Sequence, residues 1–147
     1  EVANNIIFDT EEYISREGLK GSSAKIIPSG TVVMAMYGAT ASQVTYLDCD
    51  TTTNQACCNM LTATFEEAAY LYFHCLYQQE NIKRLANGGA QENLSQELIC
   101  AQPILICENT HIYDVFSKLL SAKIAFSKEN YCCGILLKNL LSNIVII

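Results

Sequence analysis

The sequence predicts a mixed α/β (α+β) fold: one domain of short strands and a central helix, followed by a long C-terminal helix with a coiled-coil seam. Three observations predict it. The runs 31–37, 43–47 and 53–60 are rich in β-branched and apolar residues and are bounded by turn residues. At Thr64 the apolar spacing changes to that of a helix, and from Ile112 it settles into alternating steps of four and three.

Taken in order, Asn5, Ile6, Ile7 and Phe8 predict a short strand, and an apolar strand at the very start predicts a domain whose N-terminal part lies outside the chain. Residues 15–23 mix Gly, Ser and charge and read as a surface turn or one short helical turn, and Pro28-Ser29-Gly30 is a turn. The strand 31–37 ends at Gly38, and the strands 43–47 and 53–60 are parted by Asp48-Cys49-Asp50. Thr64 with Glu67 forms a capping-box pattern. It opens a helix of about twenty residues, with Phe65, Ala68, Ala69, Leu71, Tyr72, Leu76 and Ile82 at helical spacing and Gly88-Gly89 as its end. Asn93-Leu94-Ser95 caps a further helical turn, and 103–107 predicts a final strand.

The tail carries the heptad signal. Ile112, Phe116, Leu119, Lys123, Phe126, Asn130, Cys133, Leu137, Leu140, Ile144 and Ile147 follow the four-three spacing, and all but Lys123 and Asn130 are apolar. Asn130 at a seam position costs stability and fixes register, which favours a specific partner helix. The competing reading is an ordinary amphipathic helix packed on its own domain, with Gly134 weakening the run. The division drawn from these patterns is a domain over 1–107 and a dimerisation or spacer helix over 108–147.

Composition narrows the function. Half of the 147 residues are apolar, which excludes a disordered chain. The net charge is −6, and it is uneven: residues 1–102 hold five basic and twelve acidic groups, net −7, whereas residues 103–147 hold four and three, net +1. That is not the footprint of a protein held on nucleic acid by bulk charge. Eight cysteines without a secretory leader, five of them in apolar stretches, predict reduced thiols and a cytoplasmic protein. Neither a Cys-x-x-Cys pair nor a histidine at zinc spacing is present, so no metal or cofactor is expected. The apolar end 135–147 is too short for a membrane span, which needs about twenty residues. No phosphate-binding glycine loop, nucleophile elbow or acidic-x-Lys nuclease element occurs, so a hydrolase is not expected; of the conceivable cysteine nucleophiles Cys57, Cys58 and Cys75 with His74 or His111, the Cys75–His74 pair fails because adjacent residues point to different faces of a helix.

Polar stretches at 20–25, 37–43, 51–56 and 88–95 interrupt the apolar framework. Their amides, hydroxyls and lysines suit contact with base edges and phosphates, and they equally suit turns and caps. The order Tyr13-Ile14-Ser15-Arg16-Glu17-Gly18-Leu19, Ser22-Ser23-Ala24-Lys25, Pro28-x-Gly30-Thr31-Val32, Met36-Tyr37-Gly38-Ala39-Thr40, Thr53-Asn54-Gln55-Ala56-Cys57 and Gly88-Gly89-Ala90-Gln91-x-Asn93-Leu94-Ser95 resembles the specificity (S) subunit of type I restriction-modification enzymes. The resemblance runs from Tyr13 to the C-terminus and includes the helix that follows a target recognition domain in that family.

It implies a non-catalytic reader of half of a bipartite duplex DNA sequence. Its partners are methyltransferase (M) and restriction (R) subunits, and another S chain or second recognition half through the helix. On this reading Arg16, Lys20, Ser22, Ser23, Lys25, Tyr37, Thr40, Gln43, Asn54, Gln55, Gln91 and Asn93 are DNA-binding candidates. Ile112, Phe116, Leu119, Phe126, Asn130, Leu137, Leu140 and Ile144 form the helix-partner seam. The chain departs from the family pattern at Ser42-Gln43, where glycine and lysine are common, and at 107–111, where a Pro-rich Glu-Gln hinge is usual. The alternative is a truncated S fragment that assembles through its helix without competent DNA recognition.

Overall fold

The computed structural model describes residues 1–3, 5–86 and 93–144. Strands β1 (Ile6–Ile7), β3 (Val32–Ala35), β4 (Val44–Leu47) and β6 (Cys57–Met60) form a four-stranded sheet in the order β1-β4-β3-β6. β1 runs parallel to β4, pairing Ile6 with Tyr46, while β3 is antiparallel to both β4 and β6. A separate antiparallel ribbon joins β2 (Ile26–Ile27) to β5 (Thr51–Thr52). Helices α1 (Arg16–Lys20), α2 (Phe65–Ala86), α3 (Gln96–Cys100) and α4 (His111–Ile144) complete the fold.

The alternation of side chains along β3 sends its residues into two different layers. Val32, Met34 and Met36 join Val44, Tyr46 and Cys58 in a core closed by Ala68, Ala69, Tyr72 and Cys75 of α2, by Leu94 and Ile99, and by Leu120 of α4. Val33 faces the other way with Ile7 and Leu47, and there the ribbon residue Ile27 covers it together with Val2, Cys49 and Cys57. The order of layers is therefore ribbon, sheet, α2 and α4.

Local chemistry explains the helix starts. The capping box forms as its pattern predicts: Thr64 Oγ1 accepts from Glu67 N–H (3.2 Å) and Glu67 Oε2 accepts from Ala63 N–H (2.9 Å). Ser15 and Ser95 cap α1 and α3 in the same way through Gly18 N–H and Leu98 N–H.

Two strand expectations are corrected. The run 53–60 is strand only from Cys57, because Asn54 Oδ1 accepts from Ala56 N–H (3.0 Å) and turns the chain, while Thr51–Thr52 pairs with a short strand, Ile26–Ile27, for which no strand was expected. The predicted strand over 103–107 does not form. Its backbone lies against α2 instead, where Tyr70 O–H donates to Leu105 O (2.6 Å), leaving Ile104, Leu105 and Ile106 exposed. The expected helix end at Gly88-Gly89 lies outside the described residues.

Candidate nucleic-acid interface

Strand register assembles the candidate loops. One step beyond the Ile26–Thr52 pair sets Lys25 opposite Thr53 at the end of the ribbon. In the main sheet Ala35 pairs with Cys57 and Met36 N–H donates to Ala56 O (2.8 Å), so the next step sets Tyr37 beside Gln55. Tyr37 in turn bridges to Asn93, and these residues share one depression with Leu94 and Ser95. Tyr37, Gln55 and Asn93 thus share one exposed rim, and Asn54, next to Gln55 in sequence, and Lys25 at the end of the ribbon are exposed as well.

The individual side chains divide by what already occupies them. Arg16 and Lys20 sit on α1, which buries no residue, and like Lys25 they are exposed. Among the described residues no Lys or Arg lies within ion-pair distance of a carboxylate, so these three cations are not committed to one. Ser22 Oγ accepts from Ala24 N–H and Asn54 Oδ1 accepts from Ala56 N–H, so both hold turns. Ser23, Thr40 and Gln55 are exposed. Gln43 is half-buried, and its Oε1 lacks a hydrogen-bond partner among the described residues, at the end of a 3-10 turn (Gly38–Thr40) where Ser42 holds φ +73°. Gln91 lies outside the described residues. Acidic groups accompany the rim: Glu12 lines the same hollow as Thr51, Thr52, Thr53 and Asn54.

Along α4 the seam positions fall into two environments. Ile112 and Phe116 are half-buried against the domain, and Lys123 Nζ lies 6.0 Å from the Tyr72 ring centre. Leu119, Phe126, Asn130, Leu137 and Leu140 are exposed, Phe126 to 68 %; the side chain of Ile144 is outside the described set. The domain-facing stripe is instead Phe116, Leu120 and Ile124, continued by Tyr131, whose ring lies 5.8 Å from that of Phe8.

The joint between domain and helix rests on Phe116 and on three aromatics not singled out from the sequence, Tyr70, Phe73 and Tyr113. Tyr70 packs against Tyr113 with the rings tilted (4.9 Å) and meets Phe116 edge-on (5.4 Å), and Phe73 lies 5.6 Å from Phe116. The sequence does hold a signal for it: Tyr70/Phe73 and Tyr113/Phe116 are both aromatic pairs at i, i+3, which places each pair on one helix face.

Two buried cysteines, Cys58 and Cys75, are held as thiols. All eight cysteines are unbridged, and burial pushes the Cys58 thiol to about 11 and the Cys75 thiol to about 12, so both are protonated at neutral pH.

Residues 2–131 match the family model of the type I restriction modification DNA specificity domain, which spans the sheet, α2 and the anchored part of α4. The chain belongs to that family. A type I specificity domain is a non-catalytic recognition module that binds DNA and assembles with modification and restriction subunits, and the mixed α/β body followed by a long helix fits it. No helix among the described residues of this specificity domain is long and apolar enough to cross a membrane.

Proposed function

We propose that the chain reads one half of a bipartite duplex DNA sequence in the cytoplasm. Lys20 and Lys25 position the phosphate backbone, while Gln55 and Asn93 face the base edges from the rim. The free stripe of α4 pairs with another S chain or a second recognition half, setting the spacing between half-sites, and the assembly carries M and R subunits to the site. The domain boundary at 107/108 is part of this reading. The observation that supports it is the register, which brings exposed amides and the unpaired Lys25 together from separate segments. Amides at base edges and lysines at phosphates are the chemistry that reading a duplex requires.

The test is selection from a randomised duplex pool, with and without a type I methyltransferase subunit, at two salt concentrations. One enriched half-site, weakened by salt, is expected; a folded chain with no enrichment in either condition would overturn the reading. Lys20→Glu with Lys25→Glu is expected to weaken binding to all sequences alike and to lower the salt slope by about 2.

A second reading, assembly without DNA recognition, is favoured by the charge: the chain is −6 overall and Glu12 stands beside the rim. It predicts a chain that associates through α4 and enriches no duplex.

A further inference from the structure

Between the first turn of α2, the segment 103–110 and the first turn of α4 lies an open groove of about 540 Å³. Its walls are apolar and aromatic, formed by Tyr70, Ile104, Ile106 and Tyr113, and its rim carries Glu66 and Asp114. The walls are held in place by the protein itself: Tyr70 O–H donates to Leu105 O (2.6 Å) and Tyr113 Oη accepts from Cys107 N–H (3.3 Å).

Two features of the groove bear on what it could hold. Ile104, Leu105 and Ile106 are 45, 78 and 85 % exposed, three consecutive apolar side chains left in water by a segment that joins no sheet. Contiguous exposed apolar surface of this kind marks an interaction site. The rim carboxylates stand in the first turns of α2 and α4, where the helix dipole favours acid, and neither meets a Lys or Arg among the described residues. Glu67 is occupied in the capping box, but Glu66 has no cation within ion-pair distance among the described residues, and Asp114 has only His111 at 3.8 Å.

We propose that this groove docks a segment of a partner protein that carries a bulky apolar residue flanked by Lys or Arg. The apolar anchor covers Ile104 and Ile106, the basic residues meet Glu66 and Asp114, and the faces of Tyr70 and Tyr113 favour a cation near them. Phosphate is repelled by the same carboxylates, so the groove does not belong to nucleic acid. It lies on the helical side of the sheet, whereas Lys25 and Asn54 lie at the ribbon, so occupation of the two surfaces is compatible. The inference does not depend on the DNA-reading proposal.

Selection from a random-peptide display library on the full chain tests it. Peptides with a Leu, Phe or Trp beside Lys or Arg should be enriched, and the best should bind less tightly at higher salt. Ile106→Asp and Glu66→Lys, both at exposed positions, should each weaken that peptide by about tenfold or more while melting with the parent chain. No enrichment, enrichment of acidic or uncharged peptides, or binding indifferent to both substitutions would overturn the proposal. Sedimentation of the parent and Ile106→Asp supplies one further outcome: loss of self-association in the variant would assign the groove to a second copy of this chain and also overturn it.

Discussion

The two ends of α4 share one sequence pattern and meet different fates. From His111 to Tyr131 the helix lies on α2 and contributes the fully buried Leu120 to the domain core; from Cys132 to Ser142 every residue is exposed, although the stretch includes Ile135, Leu136, Leu137, Leu140 and Leu141. Both ends carry apolar residues at helical spacing. What separates them is the aromatic pair Tyr70 and Phe73 of α2, which meets Tyr113 and Phe116 at the first end and does not reach the other. A heptad pattern states that a helix has an apolar stripe. It does not state whether the cover belongs to the same chain.

The sharpest test of that contrast is a pair of truncations to alanine. Leu120→Ala is expected to cost about 3 kcal/mol of unfolding free energy, because the side chain is enclosed on all sides. Leu140→Ala should leave denaturant stability at low concentration unchanged and weaken self-association in sedimentation. A chain that stays monomeric at tens of micromolar would break the proposed role of the free end.

Alkaline titration probes the anchored end alone. Burial raises the Tyr72 hydroxyl from 10.0 to about 12 and the Cys75 thiol from 9.0 to about 12, and both groups lie in the core beneath α4. A folded-state value above the unfolded one favours the protonated form, so this stability is fully present below about pH 9 and is lost as pH rises toward 12. Unfolding monitored by circular dichroism should therefore steepen over that window. Tyr72→Phe should retain neutral-pH stability, since the buried hydroxyl has no hydrogen-bond partner among the described residues, and should reduce the alkaline loss.

The smallest expected effect is a control outside the helix. Ser42 is fully buried in the left-handed region at φ +73°, and its Oγ has no hydrogen-bond partner among the described residues. Ser42→Gly should raise thermal stability by about 1 kcal/mol at most and leave association unchanged. A change in association would show that the domain and the free end of α4 are coupled.

The sequence was legible where a rule is local. The Thr64–Glu67 capping box, the buried runs that became β3 and β4, and the start of α4 near Ile112 all depend on residues within a turn or two of each other. The strand expected at 103–107 failed because strand formation needs a partner edge, and Tyr70, more than thirty positions earlier, claims that backbone first. The rim was legible as candidate residues but not as a surface. Lys25 comes opposite Thr53 only through the pairing of β2 with β5, and Tyr37 beside Gln55 only through that of β3 with β6, which no spacing within the chain encodes. Asn54 shows the limit from the other side: the amide that makes a good base reader also makes a good turn, and its Oδ1 is spent on Ala56.

The parallel pairing of β1 with β4 has a consequence for how the chain acquires its structure. Ile6 must wait for Tyr46 to be synthesised before it has a strand to join, and the cluster that buries it is completed by Leu120. Contacts of such sequence separation are slow to form, so a nascent chain that has not yet released Leu120 from the ribosome exposes β1 and the inner face of α2 together. Ribosome-bound intermediates arrested before and after Leu120 should differ abruptly in protease resistance, with the last step of consolidation delivered by the helix and not by the sheet.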